Sequence, residues 1–171
     1  MKKLIILLSI FTTFSCLKAQ NNNEDDKKIT TTTYYIVRHA EKDNKPANNP
    51  KLLPEGKLRA LNYAKYFKNI ELDAIYSTDF TRTKNTALPT AKSKNLKTII
   101  YNAFEIDYNK FKDETKGKTI FIVGHSNTIS DFANNIIGTK EYNEIDETVY
   151  NNMYIVSITD KKINHQLKTI D

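Results

Sequence analysis

Short apolar runs that are typical of strands alternate along this chain with segments of helical spacing, and this alternation constrains the fold more than any other feature. The helical segments are 53–70, 79–95 and 126–138, and residues 104–117 are predicted to be helix or loop. Strands with apolar interiors that alternate with helices predict an α/β fold, a three-layer α/β/α sandwich with a mostly parallel central sheet. The strand-like runs, rich in β-branched and aromatic residues, are 32–37, 72–77, 97–102, 118–125, 152–158 and 163–170.

Individual residues mark the ends of the predicted helices. Pro54 suits the first turn of the first helix, since its ring fixes a helical φ. Asp79 is the expected N-cap of the second helix, which should kink near Pro89. Gly138 is expected to end the helix that begins at Ser126.

Residues 1–19 have the pattern of a signal peptide. Two lysines precede an apolar run from Leu4 to Phe14, which is too short to span a membrane. The single cysteine, Cys16, suggests a lipoprotein signal in which Cys16 is lipidated and becomes the mature N-terminus. The alternative is ordinary cleavage near Ala19, which would discard Cys16. We therefore expect an exported protein, either membrane-anchored through lipid at the periplasmic or cell surface, or soluble in the periplasm or secreted.

A polar segment, residues 20–32, follows the signal and is predicted to be a flexible tether. Residues 33–171 are then predicted to form one folded domain, which contains no cysteine and so no disulfide. The net charge of +6 is mild and the lysines are scattered, which disfavours nucleic acid as a partner and suits a small anionic substrate. We expect a monomer whose only membrane contact is the lipid anchor.

Histidine and arginine follow the ends of several predicted strands. Arg38 and His39 end the first strand, and His125 ends the strand 118–125. Ser77 ends another strand, and Arg82 lies five residues later on the next helix. Because ligands of parallel α/β sheets bind beyond the carboxyl ends of the strands, these side chains are predicted to share one site.

Two arginines, two histidines and a helix N-terminus favour phosphoryl chemistry. Arginine forks match phosphate oxygens, and the helix from Ser126 points its N–H groups at the same region. A neutral imidazole among cations can attack phosphorus, while the cations stabilise charge on the transferring group. The residues therefore predict phosphoryl transfer through a phosphohistidine.

At these residues the chain resembles the histidine phosphatase superfamily, which includes the phosphoglycerate mutases. The family's Arg-His-Gly-Glu-like run is matched by Arg38-His39-Ala40-Glu41, its second element by "YSTDFTRTKNTA" and its third by "IFIVGHSNT". The resemblance implies a phosphoglycerate mutase-like fold and an enzyme of the compact bacterial branch, because the connection between the second and third elements is short. A departure is Ala40 in place of glycine, which limits how closely the backbone can approach a substrate.

The resemblance also implies roles for individual residues. His39 would be the nucleophile, and the phosphate pocket would comprise Arg38, Arg82, His125 and Asn127. The general acid would be Glu105 or Asp107, or no acid would be needed. No metal or other cofactor is expected.

Other polar residues have structural interpretations. Ser77 is expected to be a turn or cap residue, and Ser126 an N-cap. Glu41 would cap or pair with a pocket cation, and His165 would lie on a surface strand.

The predicted function is a metal-independent phosphomonoesterase that is exported and membrane-tethered. One alternative is a phosphatase of phosphohistidine or other phosphoproteins, and another is a non-catalytic pseudoenzyme that binds phosphorylated ligands.

Overall fold

The computed structural model describes residues 30–160 and 162–171, so the predicted signal, Cys16 and residues 20–29 of the predicted tether lie outside the described residues. Six strands and four helices alternate along the described chain in the predicted order. They are β1 (Thr31–Arg38), α1 (Pro54–Tyr66), β2 (Ala74–Ser77), α2 (Thr81–Lys94), β3 (Thr98–Ile100), α3 (Tyr108–Glu114), β4 (Thr119–Gly124), α4 (Ser126–Ile137), β5 (Asn152–Thr159) and β6 (Lys162–Thr169).

The six strands form one sheet in the order β3-β2-β4-β1-β5-β6. The four strands β3, β2, β4 and β1 are parallel, and β5 and β6 continue the sheet in antiparallel pairing. Parallel strands that lie inside a sheet are covered on both faces, which explains the unbroken apolar runs of β1 and β4. The predicted mostly parallel sheet is therefore confirmed.

Two hydrophobic cores lie on opposite faces of this sheet. Alternate side chains of β1 point to opposite faces, so Ile36 belongs to the core beneath α3 and α4, and Val37 to the core beneath α1 and α2. Phe132 of α4 is central to the first core, and Tyr63 of α1 to the second. This arrangement confirms the predicted three-layer sandwich.

Two predicted helix caps are wrong, although the helices themselves form where expected. Phe80 occupies the N-cap position of α2, because the Asp79 carboxylate instead accepts from Lys84 Nζ at 2.6 Å. His125 is the N-cap residue of α4, so Ser126 is the first helical residue. The helix α2 extends through Pro89 to Lys94.

The predicted end of α4 matches the structure, whereas the predicted end of the tether lies too late in the chain. Gly138 ends α4 with φ of 90°, in the left-handed region that glycine favours. β1 begins at Thr31, two residues before the predicted start of the domain. Within the described residues, no helix has the length and apolarity needed to cross a membrane.

Candidate active site

The register of β1 and β4 brings the two histidine motifs together. Arg38, the last residue of β1, lies opposite Gly124, the last residue of β4. His39 N donates to Gly124 O at 2.9 Å, so His39 and His125 leave the same edge of the sheet side by side. Their ring centroids are 5.6 Å apart. The predicted convergence at the carboxyl ends of parallel strands is therefore observed.

His39 is held as a neutral imidazole with one free ring nitrogen. Its Nδ1 lies 2.8 Å from Ala40 O, and because a carbonyl oxygen can only accept, Nδ1 carries the proton. The unprotonated Nε2 then bears the lone pair. Burial, together with nearby Arg38, His125 and Arg82, lowers the pKa of His39 to about 3, against the opposing effect of the Ala40 hydrogen bond. His39 is only 2% exposed and is neutral at pH 7.

His125 is held between a threonine and an arginine. Its Nδ1 lies 3.3 Å from Arg82 Nη2, which can only donate, so the proton of the ring is on Nε2. That Nε2 donates to Thr78 Oγ1 at 2.8 Å, and Thr78 Oγ1 donates in turn to Thr83 Oγ1 at 3.1 Å. Burial, followed by the charges of Arg82 and Arg38, lowers the pKa of His125 to about 4. His125 therefore orients Arg82 without adding a positive charge of its own.

Arg38 is buried and its fork is fixed by the segment that precedes β5. Nη1 donates to the carbonyl oxygens of Glu147 at 2.7 Å and Val149 at 3.0 Å, and Nη2 pairs with the Glu147 carboxylate at 2.5 Å. The guanidinium also stacks on the ring of Tyr150, with Cζ 4.0 Å from the ring centroid. These contacts orient the arginine but leave its Nε–H without a partner among the described residues.

Arg82 approaches from the first turn of α2. Its Cζ lies 4.3 Å from the centroid of the Phe80 ring, and burial together with Arg38 lowers its pKa from the usual value. Its Nε–H, like that of Arg38, is buried without a hydrogen-bond partner in the described chain. A buried donor without an acceptor costs about 1–3 kcal/mol. Two such donors beside two neutral histidines make a pocket that an oxyanion would complete.

Ala40 and Glu41 support this pocket from behind. The Ala40 side chain is buried against Leu52 and Ala60, so its methyl group packs in a small apolar cluster. Glu41 does not pair with a pocket cation, since its carboxylate accepts from Arg59 of α1, with a shortest contact of 2.7 Å. The alanine that replaces the family's glycine therefore fits at this position. Glu41 has a structural role.

A cavity of about 570 Å³ opens beside His125 and Arg82. Asn127, predicted to contact phosphate, lies on its wall in the first turn of α4. Neither Glu105 nor Asp107 lines it. Asp107 instead caps α3, where its carboxylate accepts from Asn109 N at 3.0 Å. The structure therefore brings four of the predicted site residues together, places Asn127 on the cavity wall, and leaves the general acid without an assigned position there.

Three residues that contribute to the site were not predicted from the sequence. Thr78 accepts a hydrogen bond from His125 Nε2, and its place beside Ser77 in the second motif was the only sequence signal for it. Glu147 and Tyr150 come from an irregular segment with no periodic pattern. The Glu147 carboxylate also contacts Ser126 Oγ, which ties this segment to the start of α4.

The remaining polar residues do not enter the site. Ser77 is buried and its hydroxyl donates to Thr78 O at 2.9 Å, as expected of a turn residue. His165 lies on the exposed strand β6, where its Nδ1 contacts Tyr142 Oη at 2.9 Å. No group of three or more His, Cys, Asp or Glu among residues 30–160 and 162–171 is arranged to hold a metal ion.

Comparison with known families agrees with the predicted resemblance. The profile of the histidine phosphatase superfamily (branch 1) matches residues 34–116, which include the strand end with Arg38 and His39 and the first turn with Arg82. A search of curated proteins finds no match for this chain.

The fold is similar to that of solved structures that share little sequence with it. YhfR of Bacillus stearothermophilus is 14% identical with a TM-score of 0.64, over 80% of this chain and 96% of that one. The protein histidine phosphatase SixA, solved with tungstate, is 12% identical with a TM-score of 0.63, over 80% and 96%. Phosphoglycerate mutase from Bacillus anthracis is 13% identical with a TM-score of 0.60, over 83% and 93%. The predicted phosphoglycerate mutase-like fold is confirmed.

Proposed function

Because this chain belongs to the histidine phosphatase superfamily, we propose that it is a metal-independent phosphomonoesterase that works through a phosphohistidine on His39. One observation carries the proposal: two neutral histidines lie 5.6 Å apart beside Arg38 and Arg82, and the buried Nε–H groups of these two arginines have no acceptor in the described chain. A phosphoryl group would supply the acceptors. That the related SixA structure holds tungstate, a phosphate-like oxyanion, is consistent with such a pocket.

The reaction divides into two displacements at phosphorus. The His39 Nε2 lone pair forms the P–N bond as the P–O bond to the leaving group breaks, and the leaving oxygen keeps that electron pair and takes a proton. Water then attacks the phosphohistidine, the P–N bond breaks, and inorganic phosphate leaves with His39 neutral again. Arg38 and Arg82 would stabilise the charge on the equatorial oxygens in both steps.

The proton for the leaving oxygen has no assigned donor. Glu105 and Asp107 remain predictions for this role, and both side chains are exposed outside the cavity wall. An aryl leaving group is stable as an anion and needs a general acid least. Solvent in the open cavity would then suffice.

Turnover of 4-nitrophenyl phosphate by the purified protein in EDTA tests the proposal. We expect activity that EDTA leaves unchanged, together with a phosphorylated enzyme that is trapped by rapid denaturation and is labile to acid but stable to base, as a phosphohistidine is. Activity that EDTA abolishes, or an intermediate that is stable to acid, would contradict the proposed chemistry.

A phosphohistidine or phosphoprotein phosphatase is the second candidate. It is favoured by the similarity to SixA, whose name describes a protein histidine phosphatase, and by a cavity that is open to solvent. The same trapping experiment, with a phosphohistidine-containing protein as the phosphoryl donor, compares the two candidates. A pseudoenzyme is disfavoured because Arg38, His39, Arg82 and His125 are all present in one site.

We also propose that the protein is exported and held at a membrane by lipid on Cys16. The support is the sequence of residues 1–19, in which charged residues, an apolar run and a single cysteine follow in the order of a lipoprotein signal. Fatty-acid labelling of the full chain in bacteria tests this. We expect label that a Cys16→Ser variant loses. Equal labelling of both chains, or a soluble exported wild type without label, would overturn the anchor.

A further inference from the structure

We infer that the leaving group of the natural substrate is apolar, an aryl or bulky alkyl group that carries one phosphoryl group and no second anionic group. This inference rests on the proposed phosphatase function and adds the substrate class. It follows from the wall of the cavity that opens beside His125 and Arg82, which we call the leaving-group cavity.

Three large apolar side chains that are exposed to solvent lie together on this wall. Phe104 is 81% exposed, Ile100 49% and Phe80 38%, and all three line the cavity together with Tyr101 and Ala103. Large apolar side chains that are exposed singly need no explanation, but a contiguous group in a concave site marks a binding surface. Burying these side chains against a ligand would remove apolar area from water, which is favourable.

The cavity wall is charged and polar next to the phosphate pocket and more apolar farther from it. Arg82 and His125 lie on the wall where it meets the phosphate pocket, and the Arg82 guanidinium itself stacks on Phe80. Ile100 ends the edge strand β3 and Phe104 follows it in the chain, and β3 is separated from β4 and β1 by β2, so this part of the wall lies on the side away from His39. A ligand with a phosphoryl group at one end and an apolar body at the other matches this arrangement.

The charges on the wall fit a single anionic group. Arg82 is the one arginine or lysine among the residues that line the cavity in the described chain, whereas the whole protein has 26. The wall also carries Asp79, whose carboxylate pairs with Lys84 outside the cavity. A second phosphate or a carboxylate on the substrate would therefore meet no cation of its own and would face a carboxylate. Phosphoglycerates, bisphosphates and nucleotides do not fit this wall.

Three aryl phosphates whose phenols have similar acidity test the inference: 2-naphthyl, phenyl and 4-carboxyphenyl phosphate. Similar acidity keeps the chemical step comparable, so differences in kcat/KM report recognition. We expect kcat/KM for 2-naphthyl phosphate to exceed that for phenyl phosphate about 10-fold, and 4-carboxyphenyl phosphate to fall about 10-fold below phenyl phosphate.

Two cavity variants and one control variant assign these differences to the cavity. Phe104→Ala should reduce the naphthyl preference to about 2-fold without changing stability, because the Phe104 ring is exposed. Leu58→Ala, which removes an exposed apolar side chain on α1 outside the cavity, is the matched control and should leave the preference unchanged. Asp79→Asn should selectively improve turnover of 4-carboxyphenyl phosphate.

Failure of the inference can be separated from failure of the proposed function. Equal kcat/KM for the three substrates in an active enzyme would overturn the inference and leave the phosphatase function intact. If none is turned over, calorimetry with the non-hydrolysable naphthylmethyl- and benzylphosphonates decides the inference without chemistry. Tighter binding of the naphthylmethyl compound that Phe104→Ala abolishes would support it, and equal binding would overturn it.

Discussion

A His39→Asn variant is expected to lose phosphatase turnover by about 10⁴-fold or more while keeping its fold. The asparagine amide can place an N–H near the position of Nδ1, where it can still donate to Ala40 O, but it has no counterpart of the nucleophilic Nε2. The bond that orients the side chain is thus preserved, and only the atom that attacks phosphorus is removed. Single-turnover and steady-state rates with 4-nitrophenyl phosphate measure the loss, and no phosphoryl enzyme should be trapped.

The matched control for this variant is His165→Ala, which removes a histidine from the exposed strand β6. It should retain the wild-type rate. Calorimetry should show that His39→Asn still binds inorganic phosphate, because Arg38 and Arg82 supply the donors. A His39→Asn protein that is folded and turns over substrate within 10-fold of the wild type would show that His39 is not the nucleophile.

The positions of the main site residues could be predicted because regular structure determines them. Arg38 ends β1 and His125 follows β4, two parallel strands whose register is set by continuous apolar runs, so their convergence at one sheet edge follows from strand assignment alone. Arg82 could be placed in the same way, since it lies in the first turn of a helix that follows β2. Local sequence and topology agree at each of these residues.

Contacts made by irregular backbone could not be predicted. Arg38 is oriented by carbonyl groups around Glu147 and Val149, and every residue has a carbonyl group, so no side-chain pattern marks these positions. The cap of α2 was mispredicted for a different reason: Asp79 is a good capping residue, but its carboxylate pairs with Lys84, five residues later in this helix, and Phe80 takes the cap position. The substrate-facing wall likewise combines residues from several separate elements, and their exposure becomes visible only in the folded chain.

Arg82→Lys is expected to lower kcat/KM about 10²-fold or more, mainly through kcat. Lysine keeps the positive charge but has neither the Nε–H nor the planar fork that would contact two oxygens of the transferring group. Lys92→Met, which removes an exposed cation from the last turn of the same helix, is the control for a general change in charge and should be silent. A wild-type kcat/KM in Arg82→Lys would mean that the charge alone suffices and that the buried Nε–H is not an oxyanion donor.

A second substitution of Arg82 tests whether this residue serves the site at a cost in folding stability. Arg82→Met removes a buried donor without a partner and relieves the repulsion with Arg38, while it loses the stacking on Phe80 and the 3.3 Å contact with His125 Nδ1. We therefore expect activity to be abolished and the free energy of unfolding to stay unchanged or rise by about 1 kcal/mol in urea denaturation. Arg38→Met should instead be clearly destabilised, because the carbonyl groups of Glu147 and Val149 lose their donor. If Arg82→Met were destabilised as much as Arg38→Met, Arg82 would be a structural residue and its unpaired Nε–H would not mark a binding site.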